Sequence, residues 1–171
     1  MKYKLVAFWL IVFGALFAFL QMCFEYHFYY IEQSQLFLFS EAYIRNKLLL
    51  PGGFSMLVAE FLVQFFIRPY VGALVTAALL TGVGVCTAGI VKRIAPVSGL
   101  FILYVLPILA LLFMHFDFNY RVQGTVCYLM MMALLCGYMR IRNDLFRLVA
   151  GCVLVPVLFW LAGSITVLFA G

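Results

Sequence analysis

The sequence predicts an all-α, polytopic membrane bundle of about five transmembrane helices, with one amphipathic helix lying at the outer interface. Three observations carry this prediction. Hydrophobic residues make up 68% of the 171 positions and charged residues only 10%, against about half and about a quarter in soluble domains. A chain of this length folded in water leaves a large part of its area exposed, so with a mean hydropathy of +1.17 its solvent has to be lipid. The apolar residues are also gathered into runs close to the roughly 20 that cross a bilayer. Finally, the Lys and Arg residues fall in the short gaps between those runs, where they set orientation.

The first run, 5–24, follows Met1-Lys2-Tyr3-Lys4, which would serve as the n-region of a signal peptide. The run is too long for an h-region, and it ends in Gln-Met-Cys-Phe-Glu-Tyr rather than a small-x-small cleavage site. It is therefore read as a retained first span. Four more spans follow at about 70–91, 96–115, 123–139 and 145–170, so that 1–171 forms a single transmembrane domain. Pro107 and Pro156 are expected to kink the third and fifth. On the second, Gly82, Gly84, Ala88 and Gly89 form a small-residue face suited to close helix packing.

Between the first two spans, 25–69 is too aromatic for a disordered linker and too polar to cross. Within it, 54–67 reads as a helix of about 14 residues, punctuated by Pro51-Gly52-Gly53 before and Pro69 after. Glu60, Gln64 and Arg68 recur every fourth residue and give it one polar stripe. Too short to span, it is expected to lie in the outer interface with Glu60 facing water or pairing with Arg68. A second short helix is expected over 40–50, with Ser40 as N-cap and Glu41 and Arg45 as an i,i+4 pair.

Orientation follows from the basic residues. With the N-terminus inside, Lys2, Lys4, Lys92, Arg93, Arg140, Arg142 and Arg147 are cytoplasmic, and only Arg45, Lys47, Arg68 and Arg121 are outside. The net charge of +5 is thus used for topology. It forms no basic stripe with spaced aromatics, which excludes nucleic acid as a partner. The partners expected are membrane lipids, other membrane proteins or a second copy. Cys23, Cys86, Cys127, Cys136 and Cys152 lie in or beside apolar runs without metal-binding spacing and read as small apolar residues. No metal site and no cofactor is expected.

Two polar segments are the candidate chemistry. In His115-Phe-Asp117-Phe-Asn119-Tyr-Arg121, polar and aromatic residues alternate, so an extended backbone would place a base, an acid, an amide and a cation on one edge. That edge would suit an anionic headgroup or a divalent ion, which makes His115, Asn119 and Arg121 candidate ligand-binding residues together with Glu60 and Arg68. Glu25 and Glu32 follow the first span and, with Asp117, are the candidate catalytic acids. Acids after a first span, followed by an interfacial helix, resemble in layout the integral-membrane glycosyltransferases of the C-type fold. The usual Asp-x-Asp or Glu-x-Asp spacing is absent, because Glu25-Tyr-His27 has a histidine in the second place, and that puts metal-assisted catalysis in doubt. Glu60, an ionisable group on an apolar helix, is a candidate in its own right.

Two stretches, Glu32-Gln-Ser-Gln-Leu-Phe-Leu-Phe-Ser40 and Pro51-Gly-Gly-Phe-Ser-Met-Leu-Val-Ala-Glu-Phe-Leu-Val-Gln-Phe-Phe-Ile-Arg-Pro-Tyr-Val-Gly-Ala73, resemble an uncharacterised family of bacterial multi-spanning membrane proteins. In that family a PGG element precedes an FLxQFF…P…GA helix after the first span. The resemblance implies a multi-pass bacterial membrane protein, and with the orientation given by the basic residues the expectation is the inner membrane with a cytoplasmic N-terminus. It also implies a longer natural protein, of which 1–171 is the N-terminal part. It assigns no activity. The function expected is that of a non-catalytic membrane module or subunit of a cell-envelope assembly. The alternatives are a glycosyltransferase-like enzyme acting on a lipid-linked substrate at the outer leaflet, and a lipid or neutral-solute carrier.

Overall fold

A computed structural model describes residues 2–94 and 101–163. Among the described residues there are seven α-helices and one 3-10 turn: α1 Lys2–Ser34, α2 Glu41–Leu48, α3 Gly53–Val63, the 3-10 turn Gln64–Ile67, α4 Val71–Ile94, α5 Phe101–Met114, α6 Val122–Tyr138 and α7 Asp144–Ala162. Three helices, α1, α4 and α7, are long and apolar enough to cross a membrane. The described parts of α5 and α6 are apolar but shorter. The expected third and fifth spans begin and end at positions, 96–100 and 164–170, outside the described residues.

The first helix runs well past its expected end. At 33 residues and 1.5 Å per residue it is about 50 Å long, some 20 Å more than a hydrocarbon core of about 30 Å. The polar residues that suggested a loop, Glu25 to Ser34, are carried on helix because its inner face stays apolar at helical spacing. Leu16, Leu20, Phe28 and Ile31 are all buried in the main core. The segment 25–69 is thus one-quarter helix α1 before any loop begins.

At the centre is α4, which packs on α1, α5 and α6. Its buried positions Gly72, Thr76, Leu80, Gly84 and Ala88 recur every fourth residue, one seam down the cylinder. The small residues admit large neighbours. A Cβ on Gly84 would come within 2.5 Å of Ile108 and 2.7 Å of Trp9, and one on Gly72 within 2.6 Å of the Phe28 ring. On another face, Gly82 and Gly89 admit Leu129 and Cys136 of α6. The small residues expected to form one face therefore serve three neighbouring helices, α1, α5 and α6.

Helices α2 and α3 form a hairpin laid over one end of the bundle. Ser40 caps α2 as expected, its side chain accepting from the Tyr43 amide at 3.2 Å, while Glu41 and Arg45 make no ion pair among the described residues. The helix expected over 54–67 stops at Val63 and tightens into the 3-10 turn. Nor is it a surface helix with one polar stripe. Ser55, Ala59, Glu60 and Val63 are buried, and α3 packs on α2, α6 and α7. Arg68, beyond the 3-10 turn, is exposed with extended backbone. The stripe fails because residues 60, 64 and 68 do not share one helix.

The hairpin is tied to the bundle by its turn. The Gly52 amide donates to the Trp160 carbonyl at 2.9 Å, and the Trp160 indole N–H donates to the Leu48 carbonyl at 3.0 Å. Pro51 lies against Gly163 at the end of α7. Pro69 lies beside Gln21 and Tyr29, in the second half of α1. The ends of α1 and α7 and the starts of α4 and α6 are thereby gathered under one cap.

Candidate functional site

The Glu25–Glu32 segment and the turn after α5 meet through their rings. Phe24 stacks on Phe116 with centroids 5.1 Å apart and planes at 9°, and the Phe118 ring lies 4.7 Å from His27 and 5.6 Å from Tyr30. The acids stand outside this contact: Glu25 and Asp117 are exposed and Glu32 is half-buried.

The turn itself is not extended. The Asp117 carboxylate accepts from the Asn119 amide at 2.8 Å and the Asp117 carbonyl from the Tyr120 amide at 3.0 Å. This is the turn that an Asp side chain forms by mimicking backbone. Alternation then no longer sorts the side chains onto two edges. His115 goes inward, only 2% exposed, and its Nε2 meets the Thr125 hydroxyl at 2.9 Å. The Tyr120 hydroxyl joins the same Thr125 oxygen at 3.1 Å. Asp117, Asn119 and Arg121 stay exposed. The single polar edge of base, acid, amide and cation expected from the sequence is therefore corrected. His115 is an internal tie between α5 and α6.

A second cluster was only half visible in the sequence. Glu60, 9% exposed, accepts from Lys47 Nζ at 2.8 Å and from the Tyr43 hydroxyl. Arg68, its expected partner, instead borders a small crevice with Glu25. Lys47 also lies against Met56 Sδ at 2.7 Å and over the Tyr43 ring at 5.3 Å. The geometry follows from helical spacing. Tyr43 and Lys47 are four apart on α2, Met56 and Glu60 four apart on α3, so each pair shares a face. The hairpin turn brings the two faces together. That signal was available: two short helices joined by Pro51-Gly52-Gly53 form an αα-hairpin, whose inner faces must hold Lys47 and Glu60 together. Burial, and then donation to Glu60, push the Tyr43 phenol up to about 12, so it remains a neutral donor at physiological pH.

Beside this cluster is a cavity of about 240 Å³, bounded by Ser34 at the end of α1, Tyr43, Lys47, Glu60, and Arg121 and Gln123 at the start of α6. Gln123 reaches the Gly52 carbonyl and the Ser55 hydroxyl at 3.4 and 3.5 Å, both long for hydrogen bonds. Two residues marked by the sequence, Glu60 and Arg121, thus share one cavity, and Tyr43, Lys47 and Gln123 were missed. Among the described residues no group of three His, Cys, Asp or Glu side chains is placed to hold a metal ion.

Comparison with known protein families matches residues 1–171 to one described as "Family of unknown function (DUF6057)". No curated protein and no solved structure matches the chain.

Proposed function

The chain belongs over its whole length to this family of unknown function, and from that premise we propose that it is a five-span protein of the bacterial inner membrane, N-terminus inside, serving as a non-catalytic module of a cell-envelope assembly. The observation that carries this reading is the gathering of helix ends under the α2–α3 cap. Five alternating crossings require the ends of α1, α5 and α7 and the starts of α4 and α6 to lie on one side. The contacts Phe24–Phe116, Phe28–Gly72, Gln123–Gly52 and Gly52–Trp160 join these same ends. The polar groups there support a structural role, because Lys47, Tyr43 and Glu60 fasten the cap while Gly52 and Trp160 fasten it to α7.

Orientation is tested by single cysteines placed at positions 92 and 121 in intact cells, over a background without native cysteines. An impermeant thiol reagent should label position 121 and not 92. Strong labelling at 92 with none at 121 would overturn the orientation. The non-catalytic reading is tested by replacing Glu25, Glu32 and Asp117 together with alanine. The triple variant should accumulate normally and restore a strain lacking the gene. Normal accumulation without restoration would favour the enzyme that transfers sugar from a lipid-linked donor.

A further inference from the structure

We propose that the cavity between α2, α3 and the start of α6 binds a phosphate-type oxyanion, received by Arg121 and Lys47. The inference does not depend on the number of spans or on the module reading. It starts from the charge in the cavity wall: two cations, Lys47 and Arg121, face one carboxylate, Glu60, so the wall carries an excess positive charge. The donors are also only partly used. An ammonium has three N–H groups and a guanidinium five. Lys47 directs one toward Glu60 and one toward Met56 Sδ, leaving a third. The Arg121 side chain makes no hydrogen bond or ion pair among the described residues; only its backbone carbonyl is engaged, accepting from the Gly124 amide at 3.0 Å. Gln123, held only by its long contacts to Gly52 and Ser55, adds an amide that can turn inward.

The α6 helix begins at this wall, with Arg121 as its N-cap. The amides of a first helical turn lack intrahelical acceptors, and the dipole there favours negative charge. Two cations and a neutral amide line one space at the start of a helix, which is the chemistry of an oxyanion. The volume narrows the ligand. About 240 Å³ equals roughly eight waters at about 30 Å³ each and lies below the ~300–1,000 Å³ of pockets for drug-sized ligands. It suits a phosphate group with a few attached atoms. The headgroup of an anionic phospholipid and a free phosphate share that chemistry.

Glu60 gives the test its sign. Its charge occupies Lys47 and repels an anion, so Glu60→Gln should loosen the cap yet tighten oxyanion binding. Arg121→Gln, which removes no side-chain hydrogen bond or ion pair among the described residues, should leave the fold intact and weaken binding about tenfold or more, as expected for loss of a charge-assisted hydrogen bond. The full chain, delipidated in neutral detergent, is titrated with phosphatidylglycerol by native mass spectrometry and with inorganic phosphate by thermal shift. Phosphatidylglycerol binding weakened by Arg121→Gln and strengthened several-fold by Glu60→Gln identifies a headgroup site. The same pattern with inorganic phosphate alone identifies a site for a soluble phosphate. If both variants bind both probes as the parent does, or the parent binds neither, the cavity holds only water and the proposal is wrong.

Discussion

Replacing Lys47 with methionine should destabilise the protein by about 3 kcal/mol, and replacing Lys47 and Glu60 together, by methionine and leucine, should return most of that loss. Removing one member of a buried pair strands the other charge away from water, which typically costs about 3–5 kcal/mol. The low end applies because the Lys47 side chain keeps 23% of its exposure against 12% for Glu60. With both replaced, no charge is stranded, and well-packed apolar substitutes for buried pairs are often neutral or better. The Tyr43 hydroxyl would retain the Leu36 carbonyl at 3.3 Å as an acceptor. Equilibrium unfolding of the single and double variants in mixed micelles is the measurement. A Lys47→Met variant as stable as the parent would show that the pair contributes nothing to holding α2 on α3.

Gly53→Ala should be more damaging still, by about 4 kcal/mol or more, the range reached only by a few well-defined mechanisms. A Cβ at position 53 would lie 1.7 Å from the Lys47 carbonyl oxygen and 2.7 Å from its carbon. Those are backbone atoms of the preceding helix, so no side chain can rotate aside. The hairpin would have to open, separating Lys47 from Glu60 and the Gly52 amide from Trp160. Gly137→Ala supplies the contrast. It lies within α6, a Cβ there meets nothing within 4 Å, and alanine in a helix interior gains roughly 0.5–1 kcal/mol over glycine. Opposite shifts of thermal midpoint for the two variants are expected; equal shifts would mean that the α2–α3 turn is looser than its geometry implies.

The apolar runs were legible from length and hydropathy, and α1, α4 and α7, each long and apolar enough to cross a membrane, begin close to where hydropathy put them. The overrun of α1 is legible in principle, since Phe28 and Ile31 continue the helical spacing of Leu16 and Leu20 past Glu25, but the acid and His27 carry the polar character of a loop. The turn at 115–121 was misread for a local reason. Asp117 and Asn119 are turn formers two residues apart, and that outweighs an alternation that holds only if the chain is extended. Glu60 stands out in the sequence as an ionisable group on an apolar helix, but its partners Lys47 and Tyr43 do not. Which cation reaches it depends on how a hairpin folds, and spacing along α3 alone pointed to Arg68. The alternation at 115–121 groups Arg121 with His115 and Asn119, yet it borders the cavity of Lys47 and Glu60, a neighbour 61 positions earlier in the chain.

The bonds between the hairpin turn and α7 also set an order in time. Leu48 and Trp160 are 112 residues apart, so the acceptor leaves the ribosome long before its donor exists. At synthesis rates of about 5–20 residues per second, that interval is roughly 6–22 s. During it α2 and α3 lack their last anchor, and the buried faces of Ser55, Ala59 and Val63 have only earlier helices to cover them. The closure that ends the wait joins distant parts of the chain, the kind of contact that slows folding. Clipping of the 41–67 region by a protease should therefore fall abruptly once α7 has packed against the turn, which makes the turn at Gly52 a reporter of when α7 docks.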